Sequence, residues 1–405
     1  MASSLRNRIF HWAGIACVSI IGGLTQPVAQ AQTYTTIFNF DTPVGTLPAA
    51  GVTMDQHGNL YGTASQGGVL NQACPNGCGL VYKLTRQGSN WIYSPLYKFN
   101  GTDGFLPQSR VIFGPDGNLY GTTTYGGTGN NGEVYQLRPP AHACAGVQCP
   151  WTLNVLRAFN RSGDGTNPWF GDLVFDAAGN LYGTTKNGGA GFGNVFELSP
   201  INGQWGETIL YNFRAGSDGA NPESGVVLDS AGNLYGTTYL GGPANHGTVY
   251  KLTNTGSGWT ESILHTFLAL DGSYPIGGVI LDSSGNVYGT AQNGGMFGGG
   301  TVFELTPEDG GWTFNLLYSF NNEGEGSQAA MIMDAAGNLY ATLFRPNLEV
   351  VRLTPSVGQW TITGFVGGAG NTPYGSVILD GSGNLYSTSS MGGSHSHGTV
   401  FEVTP

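Results

Sequence analysis

Gly232-Asn233-Leu234-Tyr235-Gly236-Thr237 is the stretch that decides the fold, because closely similar sextets recur along the chain. Successive copies begin 46 to 62 residues apart, and self-similarity at such a spacing is the sequence signature of a repeat architecture. The chain is therefore interpreted one repeat at a time. The seven copies begin at Gly58, Gly117, Gly179, Gly232, Gly285, Gly337 and Gly383.

One repeat contains the patterns of four strands, and the fifth copy shows them clearly. Residues 277–282 predict a short strand A, followed by a tight turn whose Gly285 stands where φ must be positive. Residues 286–290 and 301–305 predict strands B and C. Residues 312–320 predict strand D, since alternate aromatic and aliphatic side chains fall on one face.

Four short antiparallel strands in about fifty residues are typical of a β-propeller blade. Residues 34–40 have the pattern of a strand D with no other strand before them, whereas residues 375–405 supply strands A, B and C with no strand D after them. We therefore predict an all-β fold, a seven-bladed β-propeller of four-stranded antiparallel blades, closed by the N-terminal strand. Such closure removes an exposed sheet edge.

The N-terminus has the pattern of a secretory signal peptide. Arg6 and Arg8 precede an apolar run over residues 13–23, and Ala29-Gln30-Ala31 is a small-x-small cleavage site. We predict a signal peptide over residues 1–31 and a propeller over residues 32–405, exported to the periplasm or the medium. No later stretch is long and apolar enough to predict a membrane span, and we expect no C-terminal anchor.

The predicted mature chain is acidic. Removing Arg6 and Arg8 lowers the number of basic residues from 14 to 12, so that against 25 acidic residues the net charge is −13. Nucleic acids and anionic membranes are bound by basic patches, and we expect neither as a partner. We expect a monomer whose partner is a glycan or an extracellular protein.

Four cysteines remain after the leader, in two local pairs. In an exported chain, Cys74 with Cys78 and Cys144 with Cys149 predict two short-loop disulfides. A metal site is the alternative, but neither spacing is the CxxC of a zinc knuckle. Four cysteines permit three pairings, and the local pairing is the one that we favour.

The loops between strands B and C offer a binding surface. They should emerge on the same face of the propeller as the D–A loops and border its central funnel. Two positions in each B–C loop vary sharply between repeats, and their mixture of aromatic and hydrogen-bonding side chains suits a polar ligand with apolar faces, such as a sugar. Alternatively, these are unconstrained loop residues. The candidate ligand-binding residues are Tyr125, Lys186, Asn187, Tyr239, Gln292, Asn293, Phe344 and Arg345.

Two other groups of side chains could hold a metal ion. His395 and His397 lie two residues apart in the last B–C loop, a spacing that could place both imidazoles on one ion, although we favour two polar loop residues. One acid in each of four D–A loops could contribute to a calcium site, although each is better explained as the cap of its own turn. These acids are Asp103, Asp164, Asp218 and Asp271.

The repeated motifs resemble a known family. Residues 181–189 read LYGTTKNGG and residues 300–307 read GTVFELTP, a pattern similar to the GloVer tandem-repeat family of exported bacterial proteins. The resemblance covers nearly all of the mature chain. It implies an exported protein with no established activity and no catalytic residues to transfer.

Two functions therefore stay open. No metalloprotease, nucleophile-elbow or phosphate-loop motif is present, and no cofactor is expected. The near-uniform repeats favour a non-catalytic propeller that binds a glycan or protein ligand through the B–C/D–A loop face. The alternative is a propeller enzyme, a lyase or hydrolase that acts on polysaccharide or peptide. Such an enzyme could use a pair of carboxylates, and the sequence does not single out two of its 25 acidic residues.

Overall fold

The computed structural model describes residues 32–42, 44–141, 151–160, 163–321, 326–344, 349–366 and 370–404. Its strands form seven four-stranded antiparallel sheets, each hydrogen-bonded in the order A-B-C-D. The sheets are the blades of a seven-bladed β-propeller, which confirms the predicted fold. Blades 1 to 7 are numbered here in the chain order of their A strands.

Within each blade strand A is short and strands C and D are long. The A strands are Thr53–Met54, Ile112–Phe113, Val174–Phe175, Val227–Leu228, Val279–Leu281, Ile332–Met333 and Ile378–Leu379. The B strands are Leu60–Ala64, Leu119–Thr123, Leu181–Thr185, Leu234–Thr238, Val287–Ala291, Leu339–Leu343 and Leu385–Ser389. The C strands are Leu80–Gln87, Glu133–Arg138, Asn194–Ile201, Thr248–Asn254, Thr301–Glu308, Glu349–Ser356 and Thr399–Thr404. The D strands are Asn90–Lys98, Thr152–Ala158, Gln204–Asn212, Trp259–Thr266, Gly311–Ser319, Gln359–Val366 and, in blade 7, Thr33–Asn39.

Two further elements lie outside the blades. Gly370–Asn371 pairs antiparallel with Met391–Gly392 in a two-stranded ladder. Gly216–Asp218 forms one 3-10 turn in the D–A loop that enters blade 4.

Blade 7 closes the propeller with strands from both ends of the chain. Thr33–Asn39 runs antiparallel to Thr399–Thr404, with Thr33 opposite Thr404 and a bulge between Thr36 and Phe38. The predicted closure by the N-terminal strand is therefore confirmed. A hydrogen bond from Thr388 Oγ1 to the Ala50 carbonyl, 2.7 Å long, also joins blade 7 to blade 1.

The A–B turn of each blade is held by the Asp, Asn and Tyr of the repeated motif. In blade 3, Asp176 Oδ1 accepts hydrogen bonds from the backbone N–H groups of Ala178 and Asn180, at 2.9 and 2.8 Å. Asp176 Oδ2 accepts from Asn180 Nδ2 at 2.8 Å and from the Tyr182 hydroxyl at 3.1 Å. The motif is thus a self-contained Asx turn locked by the tyrosine of strand B.

Blade 2 reaches the same arrangement by another route. Gly114 stands where the other turns begin with Asp, and Asp116 supplies the carboxylate from two positions later. Asp116 Oδ2 accepts from Asn118 Nδ2 at 2.6 Å and from the Tyr120 hydroxyl at 2.8 Å. A Cβ at Gly114 would lie 2.3 Å from the Tyr120 ring and 3.0 Å from Asp116 Oδ1, so position 114 requires glycine as long as Asp116 holds Tyr120 in this place.

The core lies between neighbouring blades, because the two apolar residues of strand B point to opposite faces of their sheet. Leu181 packs with Phe159 and Phe196 in the cluster between blades 2 and 3. Tyr182 packs with Leu234 in the cluster between blades 3 and 4. Each copy of the motif therefore contributes to two interfaces.

The glycine after that tyrosine makes room for an aromatic ring on strand C. A Cβ at Gly183 would lie 2.6 Å from the ring of Phe196. Blade 6 has Ala341 at this position, and its strand-C partner is Val351. The departure of the sixth repeat from the motif is thus matched by a smaller neighbour.

Candidate functional site

The B–C and D–A loops meet on one face of the propeller, as the sequence predicts. In five blades a residue of the D–A loop pairs with a residue of the B–C loop through an isolated antiparallel bridge. These pairs are Thr46 with Gln66, Phe105 with Tyr125, Thr166 with Asn187, Ala220 with Leu240, and Ser273 with Asn293.

The next residue of the D–A loop is left-handed in six blades. In blade 3, the N–H of Asn167 donates to the Asn131 carbonyl of blade 2, and its own carbonyl accepts from the Lys186 N–H, at 2.8 and 3.0 Å. The N–H and C=O groups of this left-handed residue are therefore both hydrogen-bonded to neighbouring loops. The six residues are Leu47, Leu106, Asn167, Asn221, Tyr274 and Thr372, with φ between 54° and 61°.

A proline follows each left-handed residue, and the residue after it faces or flanks the central channel. Four of these post-proline residues line the upper part of that channel, a cavity of about 270 Å³ walled by residues of all seven blades. We call the opening of this cavity on the B–C/D–A face the axial mouth. The six post-proline residues are Ala49, Gln108, Trp169, Glu223, Ile276 and Tyr374.

Four aromatic side chains form a row across the axial mouth. Phe170 of blade 3 stacks on Tyr374 of blade 7, with ring centroids 5.8 Å apart and planes inclined by 9°. Trp169 meets Phe170 edge-on at 5.6 Å, and Phe344 contacts Tyr374 at 5.4 Å. Because blades 3 and 7 are not neighbours, the stack between them must cross the channel.

A charged pair lies beside this row. Lys186 Nζ is 2.9 Å from Glu223 Oε1 and 4.3 Å from the centroid of the Trp169 ring. Glu223 is 6% exposed. Burial raises the pKa of the Glu223 carboxyl above its ordinary value, and the hydrogen bond and positive charge of Lys186 oppose that rise.

Amide side chains continue the polar surface from the charged pair. Asn187 Nδ2 donates to Asn167 Oδ1 at 3.3 Å, and Asn221 Nδ2 lies 3.2 Å from Asn187 Oδ1. Asn221 also donates to the Lys186 carbonyl at 3.0 Å. The cluster therefore holds the Lys186 loop against the D–A loops of blades 3 and 4.

A second ion pair lies within the cavity wall. Arg110 Nε is 3.0 Å from Asp172 Oδ2, and the Arg110 N–H donates to Asp172 Oδ1 at 2.9 Å. Both side chains are a little over a quarter exposed. Blades 2 and 3 therefore present charged and polar groups to the cavity, whereas blade 5 presents Ile276 and glycine backbone.

The predicted ligand-binding residues are distributed among several contacts. Lys186 and Asn187 belong to the polar cluster, and Phe344 belongs to the aromatic row. Tyr125 stacks on Phe105, and Tyr239 packs against Tyr274.

Three candidates have no described place in those contacts. Gln292 is only 9% exposed, and Asn293 is held in its backbone bridge to Ser273. Arg345 lies outside the described residues. As ligand contacts, all eight candidate residues remain predictions.

The sequence analysis missed the post-proline position, which lies nearer the axis than the B–C loop positions. A signal was present, because this position holds Ala, Gln, Trp, Glu, Ile and Tyr after a constant proline, and the residue that follows it is small in five of the six repeats. Trp169 and Phe170 also belong to an irregular repeat. Blade 3 has one more residue between the proline and strand A than blade 2 or blade 4 has.

The predicted Cys74–Cys78 disulfide is present and fixes the B–C loop of blade 1. Cys144 and Cys149 lie outside the described residues, so their bridge stays a prediction. His395 Nδ1 lies 3.0 Å from Ser394 Oγ, and the His397 carbonyl accepts from the Leu47 N–H. Within the described ranges, no group of three or more His, Cys, Asp or Glu residues could hold a metal ion.

Three of the four loop acids cap their own turns, as the sequence favours. Asp103, Asp218 and Asp271 accept hydrogen bonds from the backbone N–H groups of Asn100, Arg214 and Leu268. Asp164 forms an ion pair with Arg157 at 2.7 Å. Among the described parts of the chain, no helix is long and apolar enough to cross a membrane.

Comparison with known proteins gives a family and a fold. The sequence profile of the Gloeobacter/Verrucomicrobia repeat matches residues 21–147 and 145–348. No curated protein matches the sequence. A candidate 6-phosphogluconolactonase of Bacteroides uniformis is similar in structure, with a TM-score of 0.51, 16% identity, and coverage of 79% of this chain and 86% of that one.

Two other solved structures are similar at the same level. A candidate 6-phosphogluconolactonase of Bacteroides fragilis has a TM-score of 0.50 and 15% identity, over 77% of this chain and 84% of that one. PorZ, a surface component of the type-IX secretion system of Porphyromonas gingivalis, has a TM-score of 0.52 and 14% identity, over 90% of this chain and 47% of that one. At such identities the likeness concerns the fold alone.

Proposed function

Since the chain belongs to the Gloeobacter/Verrucomicrobia repeat family and its repeats form a closed propeller, we propose that it is an exported, non-catalytic module that binds a glycan at the axial mouth. The Cys74–Cys78 disulfide is compatible with export to an oxidising compartment. Under this proposal the propeller is the scaffold and the B–C/D–A face is the binding surface.

The observation that carries this proposal is the aromatic row beside a polar cluster. A pyranose ring has an apolar face of C–H groups and an edge of hydroxyl groups. Trp169 and Tyr374 are partly exposed and would contact the first with the ring surface that Lys186 and Phe170 do not cover, and Lys186, Glu223 and the asparagine amides would offer donors and acceptors to the second.

The charges at the mouth favour a neutral glycan. The two basic side chains described there are each paired with a carboxylate, Lys186 with Glu223 and Arg110 with Asp172. The described part of the site therefore has no excess of positive charge for uronate or sulfate groups, and the net charge of the whole chain, −11, would repel them.

The test is binding of purified residues 32–405 to a panel of neutral and acidic oligosaccharides by titration calorimetry. We expect neutral members to bind, and Trp169→Ala, Tyr374→Ala and Lys186→Ala each to weaken binding by about tenfold or more, a change of about 1.4 kcal/mol. Thr313→Ala on strand D of blade 5 is the control and should leave the affinity unchanged. Failure of every sugar to bind would refute the proposal.

The B–C loop residues give a second comparison. Tyr125 and Tyr239 stack on D–A loop residues away from the aromatic row. If Tyr125→Ala and Tyr239→Ala weaken binding while the Trp169 and Tyr374 variants do not, the ligand lies on the outer loops and the axial mouth is not the site.

The alternative, a lyase or hydrolase, has one observation in its favour. Glu223 is a buried carboxyl with a raised pKa at the mouth of a cavity, which is a common setting for a general acid. Prolonged incubation of each bound sugar with the protein, followed by product analysis, distinguishes the two functions. Products formed by the natural sequence and lost in Glu223→Gln would establish the enzyme.

A further inference from the structure

The cavity below the axial mouth has walls on every side. Its lining comes from the loops that enter strand A in all seven blades and from the A strands of blades 3 to 6, and Thr33–Asn39 joins the last blade to the first. A groove that binds the middle of a polymer is open at two ends, so that the chain can enter and leave. Among the described residues the lining of this cavity has no lateral opening of that kind, so on the B–C/D–A face it suits a small molecule or the end of a chain.

The aromatic stack adds a second restriction. Phe170 and Tyr374 both line the cavity, and their contact crosses the mouth from blade 3 to blade 7. Because two stacked aromatic rings span this opening, the middle of a polymer chain cannot bind across it. A terminal residue can reach the cavity beside the two stacked rings, with the rest of the chain directed away from the propeller.

The volume and the chemistry of the cavity suit one sugar residue. About 270 Å³ is close to the lower limit for small-molecule pockets, which is about 300 Å³. The Arg110–Asp172 pair supplies a donor and an acceptor on one side, and Ile276 with the adjacent glycine backbone supplies an apolar side. A pyranose has the same division between its hydroxyl edge and its C–H face.

We propose that the propeller recognises glycans end-on: the terminal residue of a neutral glycan occupies the axial cavity below the Phe170–Tyr374 stack, and the following residue lies on the aromatic row. This inference rests on the proposed function and adds to it the part of the glycan that is bound. Its consequence is that one chain end binds one protein molecule, however long the chain is.

The test compares stoichiometry across chain lengths. Linear neutral glucans of three to eight residues, the cyclic six-residue α-1,4-glucan and a long soluble glucan are titrated into residues 32–405. For the linkage that binds, we expect one protein per linear chain, affinity per chain constant within about twofold from three to eight residues, and binding of the cyclic form at least tenfold weaker. Several proteins on one long chain, or equal binding of the cyclic form, would overturn the inference.

A cavity-filling variant separates this inference from the proposed function. Ala330 lines the cavity in blade 6 and is not part of the aromatic row. Ala330→Phe should abolish binding if a sugar enters the cavity, and Ala330→Leu should weaken it less, with melting temperatures used to confirm folding. Undiminished binding by both folded variants would show that the glycan stays on the surface, which refutes end-on insertion but leaves glycan binding intact. If no glucan binds at all, both proposals fail for this ligand class.

Discussion

A buried glutamate without a partner is the clearest local imperfection among the described residues. Glu133 begins strand C of blade 2, is 2% exposed, and its Oε2 has no hydrogen-bond partner among those residues. Burial, reinforced by the negative charge of Asp103, raises the pKa of Glu133 to about 7. Blade 4 has Thr248 at the same register, where its hydroxyl pairs with that of Thr238 at 2.8 Å.

We predict that Glu133→Thr stabilises the propeller in a pH-dependent way. Because the folded pKa exceeds the unfolded value near 4.5, the natural protein loses stability as the pH rises from about 4.5 to about 7 and stays at that lower level above it. The shift bounds the loss at about 3 kcal/mol, and solvent screening reduces it to an expected gain of about 1–2 kcal/mol for the variant at pH 8.

Urea unfolding at pH 4 and pH 8 measures this effect. The gain of Glu133→Thr should be smaller at pH 4, where the carboxyl is protonated in both states. Glu308→Gln, at an exposed end of strand C in blade 5, is the control and should show no such difference. A gain that is independent of pH would contradict the assigned cause.

At the scale of the element, the A–B hairpin forms the same Asp–Asn–Tyr hydrogen bonds from two different sequences. Six blades begin the turn with Asp, whereas blade 2 has Gly114 there and places its carboxylate on Asp116. The irregular repeat therefore keeps the hydrogen bonds of the turn. A substitution in this hairpin has to be judged together with its partner position.

We predict strong coupling between positions 114 and 116. Gly114→Asp alone should destabilise the protein by more than about 2 kcal/mol, because its Cβ meets the Tyr120 ring and a second carboxylate. Asp116→Ala alone should cost about 1–3 kcal/mol through the lost charged hydrogen bonds. The double variant, which has the pattern of blade 3, should return to within about 1 kcal/mol of the natural protein.

A double-mutant cycle from denaturant unfolding tests this coupling. The matched comparison is blade 3, where Asp176→Gly and Ala178→Asp convert the turn in the opposite direction. Additive effects of the two substitutions in blade 2 would mean that the two turns are not interchangeable.

The same element shows what a sequence can and cannot predict. The Asp-to-Tyr motif, the alternating strand D and the positive-φ glycine are local signals, and they correctly gave the blade and its turn. Whether Tyr125 or Trp169 lies nearer the axis depends on where strand A starts relative to the whole propeller. The Phe170–Tyr374 contact joins residues 204 positions apart (374 − 170) and has no local signal.

At the scale of the whole molecule, closure depends on one peripheral strand. Thr33–Asn39 contributes the D strand of blade 7, and its Phe38 stacks on Tyr93 of blade 1 with centroids 4.7 Å apart. The strand thus completes a sheet and also packs against the neighbouring blade. The interface between the first and last blades depends on both contributions.

We predict that deletion of residues 32–40 removes soluble, cooperatively folding protein, because blade 7 is left with three strands and an open edge. Thermal unfolding followed by circular dichroism, together with size-exclusion chromatography, measures this. A circular permutant is the matched control: a short turn joins Thr404 to Thr33, and new termini open in the C–D turn at Gly256. It should melt within a few degrees of the natural protein. Unchanged melting of the deletion would contradict closure as the source of cooperativity.

The pairing of Thr33 with Thr404 also determines when blade 7 can form during synthesis of the chain. Their separation of 371 positions (404 − 33) means that residues 33–39 are synthesised long before the strand with which they pair. Blades 1 to 6 are each contiguous in sequence and can form as the chain emerges, whereas blade 7 cannot. If translation stops before residue 399, residues 33–39 have no partner strand, and their backbone N–H and C=O groups stay exposed. Blade 7 can therefore be completed only after residues 399–404 have been synthesised.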